Sequence, residues 1–317
     1  MGPNLIDPAI LHRQATQHAF DLDTIPWAQG IDPTRHFAPE AMAQLYHSPS
    51  YQLLDADERR EFSRVVGLAL AEMFIYLEEI LLVPAVGTFM AKRGDRLSPD
   101  LRACLVDFIE EERKHAEMFW RLLELAAPEA YPTRKPLIYG ARPIKNLGLQ
   151  VMVRLPEVCL CWLWLALIFE ERTIDLYRKY QAAPEADPLF ASVHRYHMQD
   201  ETRHVSIDQH LLAELWDPAP MWLRRLNVKL LSGILGMFTS PTTSPMTAVD
   251  AVIAKSPRLQ ARRADFERDI AGLRENMAFQ QAHYSREVLP RTFALMDRYP
   301  EMAAIRTALP LYTPVAP

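Results

Sequence analysis

Glycine is scarce in this chain, 10 residues in 317, and cysteine is scarcer, with only Cys104, Cys159 and Cys161. Few glycines beside many Leu, Ala, Glu and Arg favour helix over sheet. No alternating strand pattern of useful length occurs. An odd cysteine count argues against a disulfide framework and fits a reducing compartment. Cys159 and Cys161 lie in the apolar run Val158–Phe169 with no second Cys/His pair to complete a zinc site, so they read as small core residues. That run, the longest without charge, has about twelve residues, well short of the roughly twenty that span a bilayer. The N-terminus lacks a basic segment followed by an apolar one, so no signal peptide is expected. A cytoplasmic protein without a membrane span follows as the expectation. An excess of positive charge is also missing. The formal net charge is -5, which makes nucleic acid an improbable partner.

What is present is helical punctuation. Residues 1–54 hold scattered prolines and short apolar pieces and read as an N-terminal arm on a core. Residues 55–317 are expected to form one domain, with a bundle core at about 60–216 and additional helices over 217–317. The pattern predicts a helix from Asp57 to Arg93, with a kink where Pro84 interrupts it. Ser98-Pro99 is a cap followed by a first-turn proline and opens a second helix that runs to Ala127. A link containing Pro132, Pro136 and Pro143 follows. A third helix is expected from near Pro156 to about Tyr180. A fourth is expected from Asp187-Pro188 to about Trp216. Met221–Phe238 is apolar with Arg224, Arg225 and Lys229 near its start, and reads as core, lid or dimer contact. Residues 239–245 read as a loop, and 259–287 and 292–307 as helical. Four long helices with two short loops among them imply a bundle of antiparallel neighbours, an all-α fold.

The two halves of that bundle resemble each other. Leu77-Glu-Glu-Ile precedes Glu-Glu-Arg-Lys-His at 111–115, and Phe169-Glu-Glu-Arg precedes Asp-Glu-Thr-Arg-His at 200–204. Glu112 and His115 are three apart and share a helix face, as do Glu201 and His204. One Glu-x-x-His is a weak signal, but the setting of these two strengthens it. Glu170 interrupts an almost wholly apolar helix, with Leu163, Ala166, Leu167, Thr173, Ile174 and Tyr177 on its face. Glu78 is placed alike among Ala71, Phe74, Ile75, Leu81, Leu82 and Ala85. An unpaired buried carboxylate costs several kcal/mol, so each must be neutral, paired or bound to metal. The plain alternative pairs them with arginines such as Arg113 and Arg203. One Glu from each of two helices and Glu-x-x-His from each of two more is the dimetal pattern of ferritin-like bundles. Four carboxylates offset most of the charge of two divalent ions, and imidazoles suit borderline metals. His197 lies four before Glu201 and seven before His204, so it points the same way.

His197-x-x-x-Glu201-x-x-His204, joined to Glu170 and to Glu78 with Glu112-x-x-His115, resembles the p-aminobenzoate N-oxygenases, diiron arylamine oxygenases of antibiotic biosynthesis. The resemblance covers roughly residues 60–215. Carried over position by position, it implies that Glu78, Glu112, His115, Glu170, His197, Glu201 and His204 hold two iron ions. Glu79 stays as the alternative to Glu78. Glu110, Glu111 and Glu171 read as surface or outer residues, and Asp175 and Asp200 as groups that orient ligand histidines. His194 and His210 fall outside the ligand face.

The resemblance further implies a ferritin-like helical bundle and a monooxygenase. Dioxygen would be used on a small primary amine, leading to hydroxylamine, nitroso or nitro products. With no Rossmann or ferredoxin motif in the chain, electrons must come from an external reductase or ferredoxin, and a homodimer is expected. A substrate pocket is expected near Trp162, Phe169 and Tyr177 or under 221–238. Oxidation at carbon, or iron binding without oxygenase activity as in ferritins, are the other readings of the same ligands.

Overall fold

The computed structural model describes residues 5–139 and 143–315, with side chains for all of these except 143–146. Among the described residues the regular structure is helical, and the nearest thing to a sheet is one isolated bridge between His36 and Ala186. The chain runs through α1 (Pro8–Gln17), α2 (Ala56–Ile75), α3 (Val83–Arg93), α4 (Pro99–Ala126), α5 (Pro143–Arg154), α6 (Cys161–Gln181) and α7 (Pro188–Leu211). Then come α8 (Met221–Thr239), α9 (Thr243–Lys255), α10 (Arg263–Ala271), α11 (Met277–Tyr284) and α12 (Pro290–Met296). The core of the bundle is α2 with α3, α4, α6 and α7. It is filled by fully buried aromatics such as Phe62, Phe108, Phe119, Trp162, Trp164 and Phe190.

Local chemistry sets the ends of these helices. Asp55 caps α2 in a capping box, its carboxylate taking the Glu58 N–H while Glu58 reaches back to the Asp55 N–H. Ser98 accepts from Leu101 N at 3.2 Å ahead of Pro99. Asp187 accepts from Leu189 N and Phe190 N, at 2.9 and 3.0 Å, ahead of Pro188. Gly67 is needed for close approach, because a Cβ there would lie 2.6 Å from the Cβ of Phe37.

The expected helix 57–93 is continuous, but it carries a wide π-helical stretch, Tyr76–Leu82, in place of a simple kink. Its last bond runs five residues back, from Val83 N–H to the Glu78 carbonyl. Pro84 lacks an N–H and crowds the carbonyl four residues earlier, and the widened turn just before it makes room.

Other expectations change. The link through Pro143 opens a helix, α5, whose first position is that proline. Pro156 ends this passage instead of starting the next helix, since residues 155–160 form turns and α6 begins at Cys161. The loop at 239–245 is shorter than expected because α9 starts at Thr243. The helical C-terminal stretches are broken into α10, α11, α12 and a final 3-10 helix, Pro300–Thr307.

Two buried carboxylates fasten loops to the bundle. Glu72 accepts from Tyr131 Oη, Leu137 N, Ile138 N and Tyr139 N, all at 2.7–2.8 Å. Glu171, expected at the surface or in the outer layer, is buried instead. It accepts from Arg291 N and Thr292 N at 2.8 Å, at the start of α12. Free N–H groups at a helix start favour an anion there. At the other end of the chain, α1 rests on α4, with Cys104 Sγ donating to Pro8 O at 2.9 Å.

Candidate metal centre

The π-helical stretch supplies Glu78, α4 supplies Glu112 and His115, α6 supplies Glu170, and α7 supplies His197, Glu201 and His204. None of the seven is more than 3% exposed. Two groups of four could each hold an ion: Glu78, His115, His197 and Glu201, and Glu112, His115, Glu201 and His204. They share His115 and Glu201. Glu201 Oε1 is the hub, 2.8 Å from His197 Nε2, 3.4 Å from His115 Nδ1 and 3.6 Å from His204 Nδ1. His197 Nε2 is 3.0 Å from Glu78 Oε1, and His204 Nδ1 is 2.9 Å from Glu112 Oε1.

Glu170 belongs to neither group of four, but it lines the same small cavity as Glu78, Glu112, His197 and Glu201. Glu79 points away: it is exposed and accepts from Trp120 Nε1 at 3.2 Å. The arginine alternative fails for Glu78 and Glu170. Arg113 is exposed, and Arg203 pairs with Glu111 and Asp200.

The donor atoms fit cations better than they fit one another. Both carboxylate oxygens of Glu112 and Glu170, Glu78 Oε2, Glu201 Oε1, His115 Nδ1, His197 Nε2 and His204 Nδ1 are buried without a hydrogen-bond partner. Several lie within 3 Å of each other yet are not aligned as donor and acceptor. Lone pairs crowded round a common space, in a region where buried polar atoms are nearly always satisfied, are what a pair of ions would resolve.

Without ions, protons share that role. Burial pushes the Glu78 carboxyl up to about 8, even with His197 beside it. Burial, with the neighbouring Asp208 carboxylate adding to it, pushes Glu170 well above the carboxylate range. Burial alone would depress His197, but Glu201 and Glu78 lift it to about 10. His204 is likewise lifted well above its ordinary value, against burial, by Glu201, Glu111 and Glu112.

An outer layer braces two of the histidines crosswise. Asp200, on α7, meets Nε2 of His115 on α4 at 3.1 Å. Glu111, on α4, meets Nε2 of His204 on α7 at 2.9 Å. Both rings therefore turn Nδ1 towards the site. Arg203 joins the two carboxylates by bonding to Glu111 and Asp200, and Lys114 reaches Asp200 at 2.8 Å. The residue just before each Glu-x-x-His thus orients the histidine of the other motif.

Asp175 has no such part and holds Lys179 at 2.5 Å. Glu110 is exposed. His194 is buried between Phe74, Phe119 and Tyr180 with both ring nitrogens unpartnered, and His210 bonds to Ile6 O at 2.7 Å. Sequence reasoning missed Asp208, a fully buried carboxyl beside Glu170 that burial pushes up to about 8. Its position four after His204, on the same face, was the available signal.

A second cavity of about 10 Å³, room for about one water, lies next to the site and shares Phe74 and Phe169 with it. Met42, Met73, Arg172, Lys179 and His283 also line it. Phe169 stands where the pocket was expected, and Phe238 of α8 packs on it with ring centroids 4.7 Å apart. Trp162 and Tyr177 line neither cavity.

Fold and site together define a ferritin-like helical bundle built round a buried carboxylate and histidine cluster that could hold metal. The sequence matches the family described as P-aminobenzoate N-oxygenase AurF over residues 9–278, and the chain belongs to that family. The match extends beyond 60–215 to take in α1 and the C-terminal helices as far as α11. No curated protein matches the chain at a significant level. No described helix is long and apolar enough to cross a membrane.

Proposed function

We propose that the chain is a non-haem diiron oxygenase that N-oxygenates a small, aryl primary amine. Glu78, Glu112, His115, Glu170, His197, Glu201 and His204 hold the two irons in this reading. The carrying observation is the convergence of these seven buried side chains with unsatisfied donor atoms, in a chain of a family of that description.

Bound iron would supply the activation of dioxygen: one oxygen atom goes to the amine nitrogen, and the other leaves as water with two protons and two electrons from an external donor. The protein's part is to hold and orient. Four carboxylates match the charge of two divalent ions, and three neutral imidazoles add donors without adding charge. Asp200 and Glu111 fix two of the rings, and Phe74 and Phe169 keep the space beside Glu78 and Glu170 dry. The amine would approach from the side of the cavity that shares those two phenylalanines, whose side chains must move apart to admit an aromatic ring, since the space there holds only about one water.

The test is a metal assay on purified full-length protein, followed by turnover with a reductant, dioxygen and an arylamine. About two irons per chain are expected, with hydroxylamine, nitroso or nitro product identified by mass spectrometry. Glu201→Ala removes the hub and should abolish both iron retention and product. Oxidation of a carbon centre with amines untouched would replace this reading by a carbon oxygenase. Iron uptake without any organic product would point to an iron-binding protein instead.

A further inference from the structure

Helix α8 contains no acidic residue in its 19 positions, although the whole chain carries a net charge of -5. Its inner face, Leu223, Asn227, Val228, Leu231 and Leu235, is buried. At 100° per residue, the outward face places Arg225, Lys229, Trp222, Gly233, Leu226, Met237 and Leu230 within an arc of about 140°. Trp222 is 67% exposed, and Leu226, Leu230 and Met237 are 47%, 43% and 48% exposed. Arg224 is taken by Glu301 at 3.2 Å, whereas Arg225 and Lys229 are exposed and make no ion pair among the described residues.

A second helix repeats the design. α5 also lacks acidic residues and exposes Leu147, Val151 and, just past its end, Leu155, with Arg154 alongside. Asn227 fastens α8 to the turn that follows α5, donating to Val158 O at 2.8 Å and accepting from Cys161 N at 3.0 Å.

We infer that this face lies on an anionic phospholipid surface, with Trp222, Leu226, Leu230 and Met237 entering the headgroup boundary and Arg225 and Lys229 at the lipid phosphates. Apolar residues and cations on one face of an in-plane helix suit such a surface. A protein partner fits less well. Protein interfaces carry about one hydrogen bond per 100–200 Å², and on this arc only Arg225, Lys229 and the Trp222 indole offer side-chain donors, with no strong side-chain acceptor among its residues. A second copy of the chain fits less well again, since a two-fold contact must be self-complementary and α8 has no acid to meet its own cations.

The test is co-sedimentation of the iron-loaded full chain with vesicles of phosphatidylcholine alone, and of phosphatidylcholine with phosphatidylglycerol. Binding is expected only with the anionic lipid and should fall as salt rises. Arg225→Gln with Lys229→Gln should weaken it by more than tenfold, at about fivefold per charge. Trp222→Gln with Leu226→Gln should weaken it at least tenfold. Both double variants change solvent-facing positions, so unchanged melting temperature and iron content show that the fold is kept. The inference is overturned if wild type ignores both vesicles, or if the variants bind as wild type does. It is also overturned if light scattering shows a dimer that Trp222→Gln with Leu226→Gln converts to monomer, which would assign the face to a second copy.

Discussion

The two walls of the candidate metal centre are built differently. On the α4–α7 wall, His115 and His204 each have one ring nitrogen tied to an outer carboxylate, and Arg203 ties the carboxylates together. On the opposite wall, Glu170 has no hydrogen-bond partner on either oxygen, and Glu78 has none on Oε2. The two histidines of the first wall are set before any ion arrives. The carboxylates are not, on either wall: Glu112, on α4, is as free of partners as Glu170. Held histidines and unheld carboxylates suit a site for two cations, and only the first wall has both.

Three measurements would break or sharpen that contrast. The largest effect is expected from Arg203→Met, which strands Glu111 and Asp200 without their shared buried cation. Loss of one partner from a buried ionic network costs about 3–5 kcal/mol, so denaturant unfolding of the variant should show a drop of that size. A change near zero would mean the brace carries no strain-bearing role.

Next, Asp200→Asn weakens the hold on His115 while keeping its shape, and iron affinity should fall about 10–100-fold. Asp208→Asn, beside the free Glu170, should change affinity by less. Equal losses in a chelator competition would erase the distinction between the walls.

The smallest effect concerns His283, on the neighbouring cavity. Burial holds its pKa well below the ordinary 6.5, and Lys179, Arg172 and His47 add to the depression. Above pH 6.5 both folded and unfolded states are neutral here, so the full stability is present. Below it the unfolded chain takes a proton that the folded chain refuses, and stability falls by up to about 1.4 kcal/mol per pH unit. His283→Phe should flatten the decline in melting temperature between about pH 7 and 5. An unchanged slope would show that other groups set it.

The bundle was legible because caps are local. Ser98-Pro99 and Asp187-Pro188 begin their helices where the sequence places them. The same locality misled at Pro143 and Pro156, since a proline that opens a helix and one that follows its end look alike without the tertiary partners. The clustering of the seven residues was legible from face sharing, which is a property of one helix at a time. Crosswise bracing was harder. That Glu111 serves the histidine of another helix, and that Asp175 serves only Lys179, depends on how helices sit against each other. The exposed stripe of α8 was hidden for a related reason. Apolar residues at helical spacing do not reveal which of two faces is inside.

The wide turn at Tyr76–Leu82 amounts to a single extra residue carried inside an unbroken helix. It acts as a phase adjuster. Because the widened turn absorbs that residue, removing one there would return the helix to ordinary winding while Ala56–Ile75 and Val83–Arg93 keep their bearings. If the residue removed lies ahead of Glu78, Glu79 would, counted from the end of α2, stand where Glu78 stood, and the following proline would lose the space its ring occupies. The orientation of this one carboxylate can thus be altered by length alone, with every residue type at the centre left as it is.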